Sequence, residues 1–246
     1  MLCWPLYSAA PASRFLASSV GAAAGLQFAL VGAGVVRNDA LVASSSVRAG
    51  AGHEECCTEA PPHAASFAPD CTPASLPRPA SSPRVQRTGD PRELLRGPLL
   101  YAAVLTAATV LLWRTTPAAA LVVGVLCGGD GLAEVVGRGV ASRGSSPLAA
   151  RLPHNPAKTV AGSLACWLGG AATSLPLLLH FRSAGFFGAA AAAAGTSAAL
   201  YGPALLVRVL ACAAVGAAVE SLPLGEADNV AVPLATALAA RLAFGF

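Results

Sequence analysis

Six apolar runs, each near the ~20 residues that an α-helix needs to cross a bilayer, decide what this chain can fold into. They cover residues 15–36, 98–113, 117–136, 159–181, 200–222 and 229–246. From Gly97 onward the only acidic residues are Asp130, Glu134, Glu220, Glu226 and Asp228, all near the ends of those runs or between them. Soluble domains carry roughly 25% charged residues. Here 11% of the 246 residues are charged and 55% are hydrophobic, which excludes a water-soluble globular domain. The pattern predicts an all-α fold: a polytopic transmembrane helical bundle of about six spans with one long low-complexity loop. Residues 183–199 are mostly alanine and glycine, which contribute little to insertion, and read as a lumenal or interfacial extension.

Three regions follow from composition. Residues 1–42 form an N-terminal membrane helix region, and residues 43–87 are rich in Ser, Pro and Ala, too polar to pack a core and expected to be disordered. Residues 88–246 form the membrane domain that carries the chemistry. Asp90 before Pro91 is a helix-start signal and predicts a short amphipathic helix leading into the second run. The opening Met1-Leu2-Cys3-Trp4-Pro5 shows neither the basic start of a signal peptide nor an Arg/Ser-rich transit peptide.

Because spans alternate in direction, the polar loops 37–96, 138–158 and 220–228 are expected on one membrane face. That face carries Arg37, Arg48, Arg78, Arg84, Arg87, Arg92, Arg96, Arg138, Arg143, Arg151 and Lys158, whereas the other has Arg14, Arg114 and Arg182 near span ends. The asymmetry reads as cytosolic or, in a plastid, stromal. A net charge of +4, scattered along the chain, points to no nucleic-acid partner. The seven cysteines include no CxxC pair, and the spacing of His53, Cys56, Cys57, His63 and Cys71 fits no standard zinc pattern.

Three charged stretches interrupt the apolar pattern. In residues 127–138, Asp130 and Glu134 lie four apart, on one helix face near the loop end of a span. Ionisable groups in a span are costly, so they argue for function over a mere interfacial pairing with Arg138 or Arg143. Gly128, Gly129 and Gly131 remove side chains around Asp130, which would let a phosphate or metal approach the backbone. In residues 152–163, Lys158 is the single lysine beside fifteen arginines. A chain so biased toward arginine uses lysine where a compact ammonium suits, as at a phosphate, although chance placement explains composition equally well. Thr159 and Ser163 follow at a helix start, where anions are favoured; His154 reads as a loop hydrogen-bond partner. In residues 219–234, Asp228 has the alternative of simple helix capping. Glu220 ends a span, where the helix dipole opposes an acid, so its placement needs another reason, such as a cation. Acids and a lysine on one face, beside apolar walls, suit Mg²⁺-nucleotide phosphates meeting a lipid hydroxyl.

These stretches resemble the polyprenol kinase family, which includes dolichol, phytol and farnesol kinases. Gly129 to Arg138 is similar to its Gly-Asp-Gly pattern, Pro153 to Ser163 to its Pro-x-Asn-x-x-Lys pattern, and Val219 to Leu234 to its Val-Glu-Ser-Leu-Pro and Asp-Asn pattern. The stretch 88–98 and Trp113-Arg114 are similar to the plant and algal phytol/farnesol branch. The resemblance implies CTP- or UTP-dependent phosphorylation of a prenyl alcohol with Mg²⁺, phytol first, as in phytol salvage toward tocopherol. Farnesol, geranylgeraniol or dolichol is the alternative substrate, and a cytidylyltransferase like the CDP-diacylglycerol synthases is the alternative reaction. It implies Asp130 and Lys158 as catalytic residues, and Gly129, Gly131, Gly137, Arg138, Asn155, Lys158 and Thr159 at the nucleotide. It further implies Asp130, Glu134, Glu220 and Asp228 at the metal. The implied partners are the nucleotide, a prenyl alcohol and membrane lipids, in a chloroplast membrane with the site facing the stroma, or alternatively in the endoplasmic reticulum. Family members begin with an Arg-Lys-x-x-His segment before the first matched helix, so this sequence is expected to represent a shortened form.

Overall fold

The structure, a computed structural model, describes residues 10, 12–46, 90–113, 116–142, 147–187 and 202–245. Of the disorder expected over 43–87, residues 43–46 instead end a short helix, and the rest lie outside the described residues. So do the His/Cys set 53–71 and residues 188–199 of the extension expected over 183–199, whose residues 183–187 close a long helix and the turn after it. Helix α1 (Ser13–Gly32) is followed by the short α2 (Asp39–Ser46). At Asp90 the side chain accepts a hydrogen bond from the Arg92 backbone N–H at 2.9 Å, and Pro91 opens a 3-10 turn, Pro91–Leu95, in place of the expected amphipathic helix. Leu94 of that turn is buried, and α3 (Gly97–Leu112) follows at once.

Pro117 then starts α4 (Pro117–Val123), which widens into a π-helical segment (Gly124–Gly129) and continues as α5 (Asp130–Ala141). Next come two short antiparallel strands, β1 (Arg151–Leu152) and β2 (Asn155–Thr159). The Thr159 hydroxyl accepts from the Gly162 N–H and caps α6 (Val160–Ser183). Helix α7 (Pro203–Glu220) leads through a 3-10 turn to α8 (Asp228–Phe244), which ends at Gly245 with φ of 72°. The stretches Ser13–Gly32, Pro91–Leu112, Pro117–Ala141, Val160–Ser183 and Pro203–Glu220 are long and apolar enough to cross a membrane, and α8, at 17 residues, is the shorter sixth run. The all-α helical-bundle expectation holds, with a β-hairpin as a local addition among the described residues. Pro153 and Pro156 disfavour a helix in this loop, which pairs as a hairpin, whereas Pro176 and Pro233 are accommodated inside α6 and α8.

Small residues set how closely the helices approach. A Cβ built on Gly21, Gly25 or Gly32 of α1 would meet Thr106, Ala102 and Leu95 respectively, an antiparallel run against α3 and the turn before it. On Gly124 it would lie 2.1 Å from Ser174 Oγ, and on Gly128 2.3 Å from the Thr173 side chain. These contacts seat the π segment on α6, where the Thr173 hydroxyl lies 2.8 Å from the Gly124 carbonyl. Close approach through glycine is how helices associate where lipid removes the hydrophobic drive between them. Large apolar side chains such as Leu111, Val135, Val207, Leu234 and Leu242 remain exposed on the outside of the bundle, as a lipid-facing surface requires.

Residue pairs fix the directions of the helices. Gly137 packs at Gly162 and Gly124 at Ser174, so the 117–141 helix is antiparallel to α6. The Trp167 indole donates to the Leu210 carbonyl at 2.9 Å, and Lys158 reaches Glu220, so α6 is antiparallel to α7. Tyr101 donates to Cys127 Sγ at 3.0 Å, which puts the start of α3 at the same end. The hairpin, the α7–α8 connection and the turn before α3 therefore gather at one end of the bundle. Arg208 and Arg241, which the face count omits because they lie inside spans, occupy the halves of α7 and α8 away from that end.

Candidate active site at the loop end of the bundle

Four helices converge on one pocket. The π segment supplies Val125 and α5 its first residue, Asp130; α7 supplies its last, Glu220; and α8 opens with Asp228 and Asn229, followed a turn later by Val232. Leu126 and Cys166 complete the lining. The polar groups sit toward the loop end, and the valines form apolar walls that are themselves buried.

The hairpin carries Lys158 to this pocket's edge. Its ammonium donates to the Glu220 carboxylate and to the Glu220 backbone carbonyl, and lies 3.5 Å from Asp228 Oδ2. The side chains of Lys158, Glu220 and Asp228 retain only 27%, 12% and 21% exposure, so this pairing is shielded in a way that surface ion pairs are not. Lys158 thus places a cation beside Glu220 at the C-terminal end of α7, where the helix dipole favours one.

Asn155 holds the hairpin in place. It is 5% exposed, and its amide nitrogen donates to the carbonyls of Ser221 at 3.0 Å and Leu222 at 3.1 Å. Its Oδ1 accepts from the Ala157 N–H at 3.2 Å. His154 Nε2 lies 3.1 Å from Ser221 Oγ beside it.

The remaining sequence candidates have other surroundings. Glu134 pairs with Arg138 one turn further along α5; neither lines the pocket, and the Arg138 side chain is 54% exposed. Gly128 and Gly129 clear space for α6, not for a ligand: a Cβ on Gly129 would lie 2.9 Å from the Cys166 carbonyl. Gly137 packs against Thr159 and Gly162, whereas Gly131 alone of these faces open space. The Thr159 hydroxyl is engaged as the cap of α6. Asn229, Val125 and Val232 are pocket residues that sequence reasoning missed. Asn229 was signalled by its place in the Asp-Asn pattern but given no role there, and the valines by nothing that separates them from other apolar residues.

Among the described residues no three His, Cys, Asp or Glu side chains cluster as a preformed metal site. Mg²⁺ does not need one, since it is commonly held by one or two carboxylates together with substrate phosphates. Asp130 and Asp228, hard oxygen donors on the same pocket, fit that requirement.

This is an integral membrane protein with an acid-and-lysine site at one end of a helical bundle. Over nearly its whole length the chain is similar to proteins named as phytol and farnesol kinases. It is 33% identical over 99% of its length to probable phytol kinase 2, chloroplastic, of Oryza sativa subsp. japonica, covering 62% of that protein. It is 29% identical over 100% of its length to phytol kinase 1, chloroplastic, of Arabidopsis thaliana, again covering 62%. To the Arabidopsis farnesol kinase, chloroplastic, the figures are 28% identity over 99% of this chain and 61% of the relative. The chain thus spans about three fifths of the length of these curated relatives. No protein-family model matches it, and no solved structure does.

Proposed function

We propose that this protein transfers the γ-phosphoryl group of CTP or UTP to the hydroxyl of a prenyl alcohol, phytol foremost. The alcohol oxygen bonds to the γ-phosphorus, the bond to the β–γ bridging oxygen breaks, and the nucleoside diphosphate leaves. The alcohol proton passes to water at the loop face. Phosphoryl transfer runs largely through positioning and charge stabilisation, so no covalent enzyme intermediate is called for.

The observation that carries this reading is Lys158, held by Glu220 and Asp228 at a pocket that also contains Asp130 and two valine walls. Three carboxylates against one ammonium repel a triphosphate unless a further cation accompanies it. Asp130 and Asp228 would hold Mg²⁺, which when bound supplies charge neutralisation at the β- and γ-phosphates. Lys158 supplies a compact point charge for a phosphate oxygen. The relatives named as phytol and farnesol kinases support the acceptor class, and their chloroplastic names, with the arginine distribution, support a chloroplast membrane with this end toward the stroma.

The test is to incubate membranes carrying the protein with Mg²⁺, labelled CTP or UTP, and phytol, farnesol, geranylgeraniol and dolichol in parallel. A prenyl monophosphate, with phytol converted fastest, is expected. The absence of any labelled prenyl phosphate overturns the reading.

A further inference from the structure

We infer that Asn155 is a positioning residue, whose amide locks the 151–159 hairpin onto the carbonyls that follow α7 and so fixes Lys158 against Glu220 and Asp228. The inference rests on the phosphoryl-transfer reading and gives Asn155 a role distinct from a nucleotide ligand.

The geometry carries it. Both hydrogen-bond donors of an asparagine are on its amide nitrogen, and here that nitrogen faces the carbonyls of Ser221 and Leu222, 66 and 67 residues away in sequence. Its oxygen is engaged by the Ala157 N–H, two residues before Thr159 begins to cap α6. Among the described residues, Asn155 and Thr159 are the only buried polar side chains of the hairpin. A buried amide is costly unless satisfied, so these bonds pin the hairpin strongly to one register. Lys158 lies on the same short strand, and its ammonium meets the carboxylate and carbonyl of Glu220, the residue just before Ser221. Asn155 and Lys158 thus grip adjacent peptide units from one rigid hairpin. A shift of that contact displaces the ammonium from the pocket without removing any group that touches substrate.

Three roles give separable results. The measurements are hydrogen exchange of the 221–228 amides without nucleotide, and steady-state kinetics with CTP and phytol. Both use the full chain as wild type, Asn155→Ala and Asn155→Asp, the last keeping the shape while losing both donors. Positioning requires exchange of the loop to become several-fold faster in both variants. It also requires the CTP KM to rise and kcat/KM to fall about 10–100-fold, the range seen when a supporting partner is lost, with the phytol KM unchanged. Unchanged loop exchange with a raised CTP KM makes Asn155 a direct ligand and overturns the inference. Unchanged KM values with less active protein make it merely structural, and also overturn it. If the wild type phosphorylates no prenyl alcohol, the function reading fails by itself, while loop exchange still decides whether Asn155 holds the two segments together.

Discussion

Lys158 and Glu220, 62 residues apart, are joined twice: the ammonium donates both to the Glu220 carboxylate and to its backbone carbonyl. The double contact ties the hairpin before α6 to the last turn of α7, at the point where the helix dipole is negative and a cation is favoured. It gives the lysine a structural role and makes the identity of the cation testable.

If the site needs a compact ammonium, Lys158→Arg should fail nearly as badly as Lys158→Ala, because a planar guanidinium is bulkier and prefers two-pronged partners. Losses of about 10²–10³ in kcat are expected for each, typical of removing one preorganised electrostatic group. Kinetics with CTP in matched membranes decide it. Full activity in the arginine form would reduce Lys158 to a generic loop charge.

Asp130→Asn keeps shape and removes charge at the pocket. Turnover should be abolished while insertion and expression persist, and raising Mg²⁺ should not restore the rate. Activity within a few-fold of wild type would assign the carboxylate to structure.

The glycines divide into two kinds, and stability measurements should separate them. Gly124→Ala places a Cβ 2.1 Å from Ser174 Oγ and 2.8 Å from the α6 backbone, so overpacking is expected to cost about 1–3 kcal/mol or more. Gly131→Ala meets open space and gains helix propensity, so it should be neutral or stabilising by up to ~1 kcal/mol. Unfolding of the purified protein in detergent reads both. Equal stability of the two variants would contradict the packing described for the π segment.

The six runs were legible because lipid imposes one length and one composition on every span, and each run corresponds to a helix in the structure. The gathering of the described polar segments at one end of the bundle was legible too, since alternation leaves little freedom once spans are counted. What the sequence concealed was the purpose of small and polar residues inside the pattern. Gly128 and Gly129 sit beside Asp130 in sequence, yet their bare faces point to α6. Asn155 shares a motif with Lys158, but a hydrogen bond to a carbonyl 66 residues away leaves no mark in local sequence. Glu134 and Asp130 share a helix face, as their spacing requires, yet only Asp130 lies deep enough to reach the pocket.

The convergence of polar segments has a topological consequence. In single-cysteine proteins, Leu148→Cys and Leu224→Cys should react with an impermeant thiol reagent from one side of the membrane, and Ala184→Cys from the other. All three positions are in described, exposed segments. Labelling of Leu148→Cys and Leu224→Cys from opposite sides would dismantle the site, because Lys158 and Glu220 could not then meet.

The most direct measurement follows the phosphorus itself. Membranes carrying the protein are given phytol and Mg²⁺ with CTP labelled either at the γ- or at the α-phosphorus, and the lipid and nucleotide products are separated. Phosphoryl transfer puts the γ-label into phytyl monophosphate and leaves the α-label in released CDP. Appearance of the α-label in a lipid, with pyrophosphate released, would make the protein a cytidylyltransferase and contradict the account.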